Sequence, residues 1–303
     1  MNPKLEPIFK QLNALILGKQ QLLIQIVTCV LARGHILLED VPGVGKTTLA
    51  HALAAVLGLN YQRVQFTNDM LPADLLGVSI FQPNSNEFIF HPGPVFNSFL
   101  LADEINRASP KLQSALLEAM EEGQVSVDGK TYALPKPFLV VATQNPTEQL
   151  GTYPLPESQL DRFMMCLSIG YPAEKEEKQL YISGGRRQFV PRIKAVCNAE
   201  ILQQWQAEVS KINLSAAAAD YVYRLVAATR TPGTFAVGLS PRAGLAVVQA
   251  AKAYAWVQGR AHVIPEDVKA VWVAVAAHRL QPLQSQSRSS TLLTGMLDHV
   301  AVV

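Results

Sequence analysis

The 303-residue sequence has only three cysteines, Cys29, Cys166 and Cys197. They are far apart and form no C-x-x-C pair, so neither a disulfide framework nor a zinc cluster is expected. Long apolar runs are also lacking. Leu22 to Ala32 is interrupted by Gln25 and Thr28 and is too short to span a bilayer. Met1 to Lys10 carries Lys4, Glu6, Pro7 and Lys10 and no apolar export core, so the chain is read as soluble and cytoplasmic. Excess charge of one sign is nearly absent: 26 Lys and Arg stand against 24 Asp and Glu. The one modest basic cluster is Gly185-Arg186-Arg187 with Arg192 and Lys194. A broad nucleic-acid-binding face is therefore disfavoured. None of the six histidines has a ligand-type spacing, so they are read as packing or surface residues. No Ser-His-Asp or Cys-His arrangement can be assembled. What the chain does have is core material, with 49 % hydrophobic residues and length for two domains.

The first half alternates helical and strand patterns. Gln20 to Arg33 reads as a helix with Leu23, Ile26, Val27 and Val30 on one face. Thr47 to Leu57 is a second helix, stopped by Gly58. A third follows Ser109 as N-cap and Pro110 at N1, and ends at Gly123. Expected strands cover His35–Glu39, Tyr61–Phe66, Phe96–Ala102, Phe138–Ala142 and Phe163–Ile169. Continuous apolar strands between helices imply a parallel sheet covered on both faces. Two hairpins interrupt the scheme, one near 78–90 and one near 124–134, the second turning at Asp128-Gly129-Lys130. From Asn198 onward helical periodicity dominates, with helices expected over Ala199–Val209, Ser215–Thr229, Pro241–Gln258 and Pro265–Leu280. Trp205, Trp256 and Trp272 fall in these helices and are read as core. The fold class is α/β, with a smaller all-α unit after it, and the boundary is set near residue 185.

Two motifs carry chemistry. Asp40-Val41-Pro42-Gly43-Val44-Gly45-Lys46-Thr47-Thr48 joins a strand to a helix, the setting of a phosphate-binding loop. Gly43 and Gly45 let backbone N–H groups approach phosphate oxygens, and the helix N-terminus adds positive charge. Val44 and Thr48 belong to the same cradle. Lys46 can reach the β- and γ-phosphates, and the Thr47 hydroxyl suits Mg²⁺. Asp40 stands where the motif has its first glycine. The second motif is Phe99-Leu100-Leu101-Ala102-Asp103-Glu104, an apolar strand ending in two acids. Asp103 is the expected magnesium residue, and Glu104 the general base for the attacking water.

The runs 37–47 and 101–108, Leu-Leu-Glu-Ala-Met (116–120), Ala-Thr-Gln-Asn-Pro (142–146), 155–163 and Ser-Pro-Arg-Ala (240–243) resemble the MoxR group of AAA+ ATPases. The resemblance runs in order along nearly the whole chain. It implies a P-loop AAA+ core over residues 1–185 and a helical lid over 186–303, with ATP and Mg²⁺ between them. It implies sensor 1 at Asn145, which a turn before Pro146 would also explain. It implies an arginine finger at Arg162, which an ion pair with Asp161 would also explain. Arg242 matches sensor 2. It sits in the first turn after Ser240 and Pro241, where a cation needs a compensating anion, either a γ-phosphate or an acid of the chain. Leu17 and Gly18, within Ile16-Leu17-Gly18-Lys19, resemble the segment that contacts adenine, and would equally suit core packing. Arg107 falls in a region near the subunit interface, or is an exposed loop arginine. The hairpins match the family's two insertions and are expected to contact a client.

The resemblance thus implies an ATP-hydrolysing chaperone that forms a ring, a hexamer by family inference, and remodels a protein partner, often one with a von Willebrand factor A domain. A metal-chelatase-type subunit and a DNA-acting motor share the architecture and stay open. So does a nucleotide switch that barely hydrolyses.

Overall fold

The computed structural model describes residues 1–84, 86–146, 151–184, 190–283 and 288–301. The boundary near residue 185 and the Gly185-Arg186-Arg187 cluster lie outside them. The first half runs α1 (Glu6–Leu15), α2 (Gln20–Leu31), β1 (Ile36–Glu39), α3 (Lys46–Val56), β2 (Tyr61–Gln65), α4 (Pro72–Leu76), β3 (Gly77–Gln82), β4 (Glu87–Pro92), β5 (Phe99–Asp103) and α5 (Pro110–Glu122). Then come β6 (Gln124–Val127), β7 (Lys130–Ala133), β8 (Leu139–Gln144), α6 (Glu157–Leu160), β9 (Met165–Leu167) and α7 (Glu174–Ser183). The rest is helical: α8 (Ala199–Ser210), α9 (Ala216–Thr229), α10 (Pro241–Val257), α11 (Pro265–Ala276) and α12 (Ser289–His299). Strand β5 starts later than Phe96, because Pro94–Phe96 closes a 3-10 turn first. No helix among the described residues is long and apolar enough to cross a membrane.

Five strands form one sheet in the order β2-β5-β8-β1-β9, all neighbours parallel. Alternate residues of each strand enter opposite apolar layers, as a period of two requires. Ile36, Leu38, Phe99, Leu101, Leu139 and Val141 join the layer built by α1, α2, α3 and the C-terminal helices. Leu37, Leu100, Ala102, Val140 and Ala142 join the layer of α4 and α5. Helix α2 is buried well beyond one face, including Leu22, Ile24, Cys29 and Leu31. Its sequence is apolar almost all round, and the reason is now plain: the sheet covers one side and the C-terminal helices the other. The buried Gln206 side chain of α8 ties this junction by donating to Val30 O at 2.8 Å. Trp205, Trp256 and Trp272 are all buried. Gly34 links α2 to β1 where a Cβ would lie 2.5 Å from Met164 Cβ and 2.8 Å from Cys29 Sγ, so only glycine fits.

The two hairpins form as expected, β3 with β4 and β6 with β7. They lean together through Phe90, which stacks on Tyr132 at 4.1 Å. The first hairpin leaves Val78, Ile80, Phe81, Phe88 and Ile89 exposed.

Two histidines pin the sheet from below. Val140 N donates to His35 Nδ1 at 3.0 Å, and His35 Nε2 meets Met120 O at 3.3 Å. His278 Nε2 meets Phe163 O at 3.0 Å. Burial lowers both rings from the usual 6.5, to about 4 for His35 and about 3 for His278. A depressed imidazole keeps its proton less well in the folded state, so the unfolded chain takes up protons first. The stabilisation is complete above the unfolded value and drains away as pH falls through the window from 6.5 toward the folded values. Each histidine should cost about 1.4 kcal/mol per pH unit there. Urea midpoints measured across that window should fall steeply, and His35→Gln or His278→Gln should each flatten the slope by about half. A slope unchanged by both substitutions would refute this assignment.

Candidate active site

All five strands point their carboxyl ends to one edge of the sheet, and the loops there build a cleft of about 290 Å³. Gly43, Gly45, Lys46, Thr47, Thr48, Asp103, Glu104 and Asn145 line it together. Gly43 and Gly45 have φ of 85° and 99°, which side chains rarely adopt. A Cβ on either would find nothing within 4 Å, so the loop is open where an anion would approach. Lys46 Nζ bonds to Asp40 O at 2.5 Å and Val41 O at 3.2 Å. Burial pulls Lys46 below the ordinary lysine value, and Asp40, Asp103 and Glu104 oppose that.

Asp40 explains the missing first glycine. Its Oδ2 accepts from Ser168 Oγ at 3.0 Å, Ile169 N at 2.5 Å and Gly170 N at 2.8 Å. The carboxylate therefore ties the start of the phosphate loop to the segment leaving β9. A glycine there could not do so.

The two acids are held by groups outside both motifs. Thr143, fully buried on β8, donates to Asp103 Oδ1 at 2.6 Å and accepts from Glu104 N at 2.9 Å. Arg63 on β2 places Nη2 at 2.7 Å and Nε at 3.0 Å from Asp103 Oδ2. Glu104 has φ of 57°, strained backbone for a non-glycine residue, and its carboxylate pairs with Arg107 Nε at 2.8 Å.

Beside this cleft lies a more apolar one of about 400 Å³, sharing Pro42, Gly43, Gly45 and Thr48 with it. Leu17, Ile16, Val44, Ile169, Tyr171 and Tyr181 are among its walls. Leu17 thus lines it, whereas Gly18 turns against Glu176 of α7, whose Cγ would sit 3.2 Å from an added Cβ.

Arg162 and Arg242 are elsewhere. They line a third cleft with Arg33, Gly34 and His35, which precede β1, whereas the phosphate loop follows it. Strand β1 has four residues, so at about 3.3 Å each the two sites are roughly 13 Å apart. Arg162 pairs with Glu121 at 2.7 Å rather than with Asp161. Arg242, after the Ser240 cap, finds its anion in the same Glu121, at 2.9 Å. Among the described residues, none of α8 to α12 lines either of the first two clefts. The C-terminal helices pack on α2 instead of over the loop.

The family model described as ATPase family associated with various cellular activities (AAA) matches residues 35–165, and the AAA lid domain model matches 227–294. Chaperone MoxR1 of Mycobacterium tuberculosis is 43 % identical over 285 residues, covering 91 % of this chain and 75 % of its own. The chain belongs to the MoxR family of AAA+ ATPases. Protein MoxR of Paracoccus denitrificans is 33 % identical over 313 residues, covering 95 % of this chain and 91 % of its own. A crystal structure from Cytophaga hutchinsonii superposes with a TM-score of 0.89 at 35 % identity, covering 99 % of this chain and 95 % of that one. Membership of the MoxR family brings ATPase activity in general, nucleotide binding, and the parallel-sheet fold with a helical lid.

For a MoxR-family site, sequence reasoning missed Arg63, Thr143, Gln144 and Glu121. Gln144 lines the cleft beside Lys46 and bonds to Glu39 through its side chain. A weak signal existed for Thr143: a hydroxyl inside an otherwise apolar buried strand needs a partner. No local signal marks Arg63, which reads as one polar residue on an edge strand.

The Asp40 clamp generates a prediction. Asp40→Ala should lower unfolding free energy by about 2–3 kcal/mol, because two backbone N–H groups lose their acceptor. Asp40→Gly, which restores the first glycine of the motif, should be as destabilising. Urea denaturation of both variants would decide, and a neutral Asp40→Gly would remove the clamp.

Proposed function

We propose that this chain hydrolyses ATP in a ring with further copies of itself and uses the cycle to remodel a protein partner. The observation that supports this is the split of the site. Lys46, Thr47, Asp103, Glu104 and Asn145 share one edge of the sheet, and Arg162 and Arg242 share the other. A single chain cannot bring the two sets onto one phosphate, whereas a neighbour can. In this reading the apolar cleft with Leu17 takes adenine, and the glycine loop and Lys46 take the phosphates. Thr47 and Asp103 offer the hard oxygen donors that Mg²⁺ prefers, and bound there it would offset phosphate charge. Because both Asp103 oxygens are engaged, this acid would act through water. Glu104, held by Arg107 and Thr143, takes the proton of the attacking water. Asn145 orients that water.

The ring is read as a hexamer, with residues 1–185 as its core and 186–303 as its lid. The exposed apolar tip of the first hairpin favours a protein client over DNA, since a nucleic-acid surface would be basic. The name of the M. tuberculosis relative, Chaperone MoxR1, supports the same choice. A partner with a von Willebrand factor A domain is the kind of client proposed.

Glu104→Gln should still bind ATP while turnover falls by about a hundredfold or more. Subunits with Lys46→Ala and subunits with Arg162→Ala, each inactive alone, should recover hydrolysis when mixed. Mixed rings of normal size that stay inactive would refute a trans role for Arg162. Hydrolysis stimulated by duplex DNA with steep salt dependence would favour the motor reading instead.

A further inference from the structure

The third cleft, of about 230 Å³, sets four arginines, Arg33, Arg162, Arg242 and Arg279, against two carboxylates, Glu121 and Asp161. Asp161 is already committed. Its Oδ1 accepts from Arg279 Nε at 2.6 Å, and it lies 3.6 Å from Arg242 Nε. Arg279 is buried and also donates to Phe163 O at 2.7 Å, so it serves the framework. Glu121 is different. One of its oxygens takes Arg162, through Nε at 2.8 Å and Nη2 at 2.7 Å, and the other takes Arg242 Nη1 at 2.9 Å. One carboxylate thus holds two guanidiniums side by side.

Both ends of this contact stand against the helix dipoles. Glu121 is in the last turn of α5, where the helix end is negative, and Arg242 is in the first turn of α10, where it is positive. Each charge alone is disfavoured at its helix terminus. The arrangement is stable because the two ends face each other, and reversing both charges would suit the dipoles better. Stability alone therefore does not account for this choice of signs. The guanidiniums are also left partly open, Arg162 at 28 % and Arg242 at 58 % exposure, with more positive than negative groups around them. An external anion is still wanted.

We infer that Glu121 is a positioning residue that clamps Arg162 and Arg242 together, so that one phosphoryl group of a neighbouring copy's nucleotide meets both guanidiniums at once. This rests on the trans reading of Arg162 above. The two arginines lower the Glu121 carboxyl below its ordinary value, Arg242 most, which keeps the clamp ionised. A glutamine of the same shape breaks the clamp. Its amide offers one acceptor and one donor, so it can satisfy one guanidinium and faces the other with N–H against N–H. The freed arginine then has to be ordered during the reaction, and such misplacement is costly in turnover.

The test uses the full chain with Glu121→Gln, and Glu121→Asp as a second, charge-keeping variant. Glu121→Gln should lower kcat by roughly ten- to a hundredfold while KM for ATP changes by less than about twofold, since the phosphate loop is untouched. Glu121→Asp should recover part of the loss. Mixing Glu121→Gln subunits with Lys46→Ala subunits should restore hydrolysis, because the latter still donate an intact clamp. Unchanged or raised kcat, a change in KM alone, or no recovery on mixing would overturn the inference. The parallel mixture of Arg162→Ala with Lys46→Ala separates the two claims. If that mixture recovers and Glu121→Gln is unimpaired, only the clamp fails. If it does not recover, the trans reading fails.

Discussion

Parallel pairing of β1 between β8 and β9 is the constraint on which everything else depends. It sends the carboxyl ends of all five strands to one edge, so three loops that are distant in sequence converge on one cleft. It also separates that cleft from the groups that precede β1. The pairing is stabilised by burial on both faces, with apolar residues alternating between two layers. The inner strands β1, β5 and β8 could not stay in place without both layers, because each is too short and too apolar to stand against water.

Polar groups then hold what burial has brought near. Asp40 fastens the phosphate loop to the end of β9, Thr143 joins Asp103 to the backbone of Glu104, and Arg63 neutralises Asp103 from the edge strand. These contacts are few, and each is charge-assisted or buried, which makes them strong individually. They leave the acids fixed in direction while the cleft itself stays open. At the other edge the same logic is inverted. Charges are placed where helix dipoles disfavour them, and Glu121 and Arg242 compensate each other across the gap between two helix ends.

Much of this was legible in one dimension wherever the signal was local. The five strands, both hairpins, the Ser109 and Ser240 caps and the phosphate loop all follow from residue order. Helix α1 is not among the helices expected from the sequence, although Ile8, Phe9, Leu12 and Leu15 recur at helical spacing and are buried. The sequence pattern marks one apolar face on α2, because its second partner is a bundle that begins far along the chain. Arg63 and Glu121 have no local signature, since each acts on a residue about forty positions away.

Residue order alone carried the glycine turn before Lys46, the strand that ends in Asp103 and Glu104, and the resemblance to the MoxR family, because glycine conformation and strand burial are properties of neighbours in the chain. The positions of the arginines come from long-range packing. Arg162 and Arg242 are separated from Lys46 by the length of a strand, and the helix that carries Arg242 spends its apolar face on α2 rather than on the cleft beside Lys46. Burial of that face is a long-range term that no local pattern records, and it is what keeps Arg162 and Arg242 at the opposite end of β1 from Lys46.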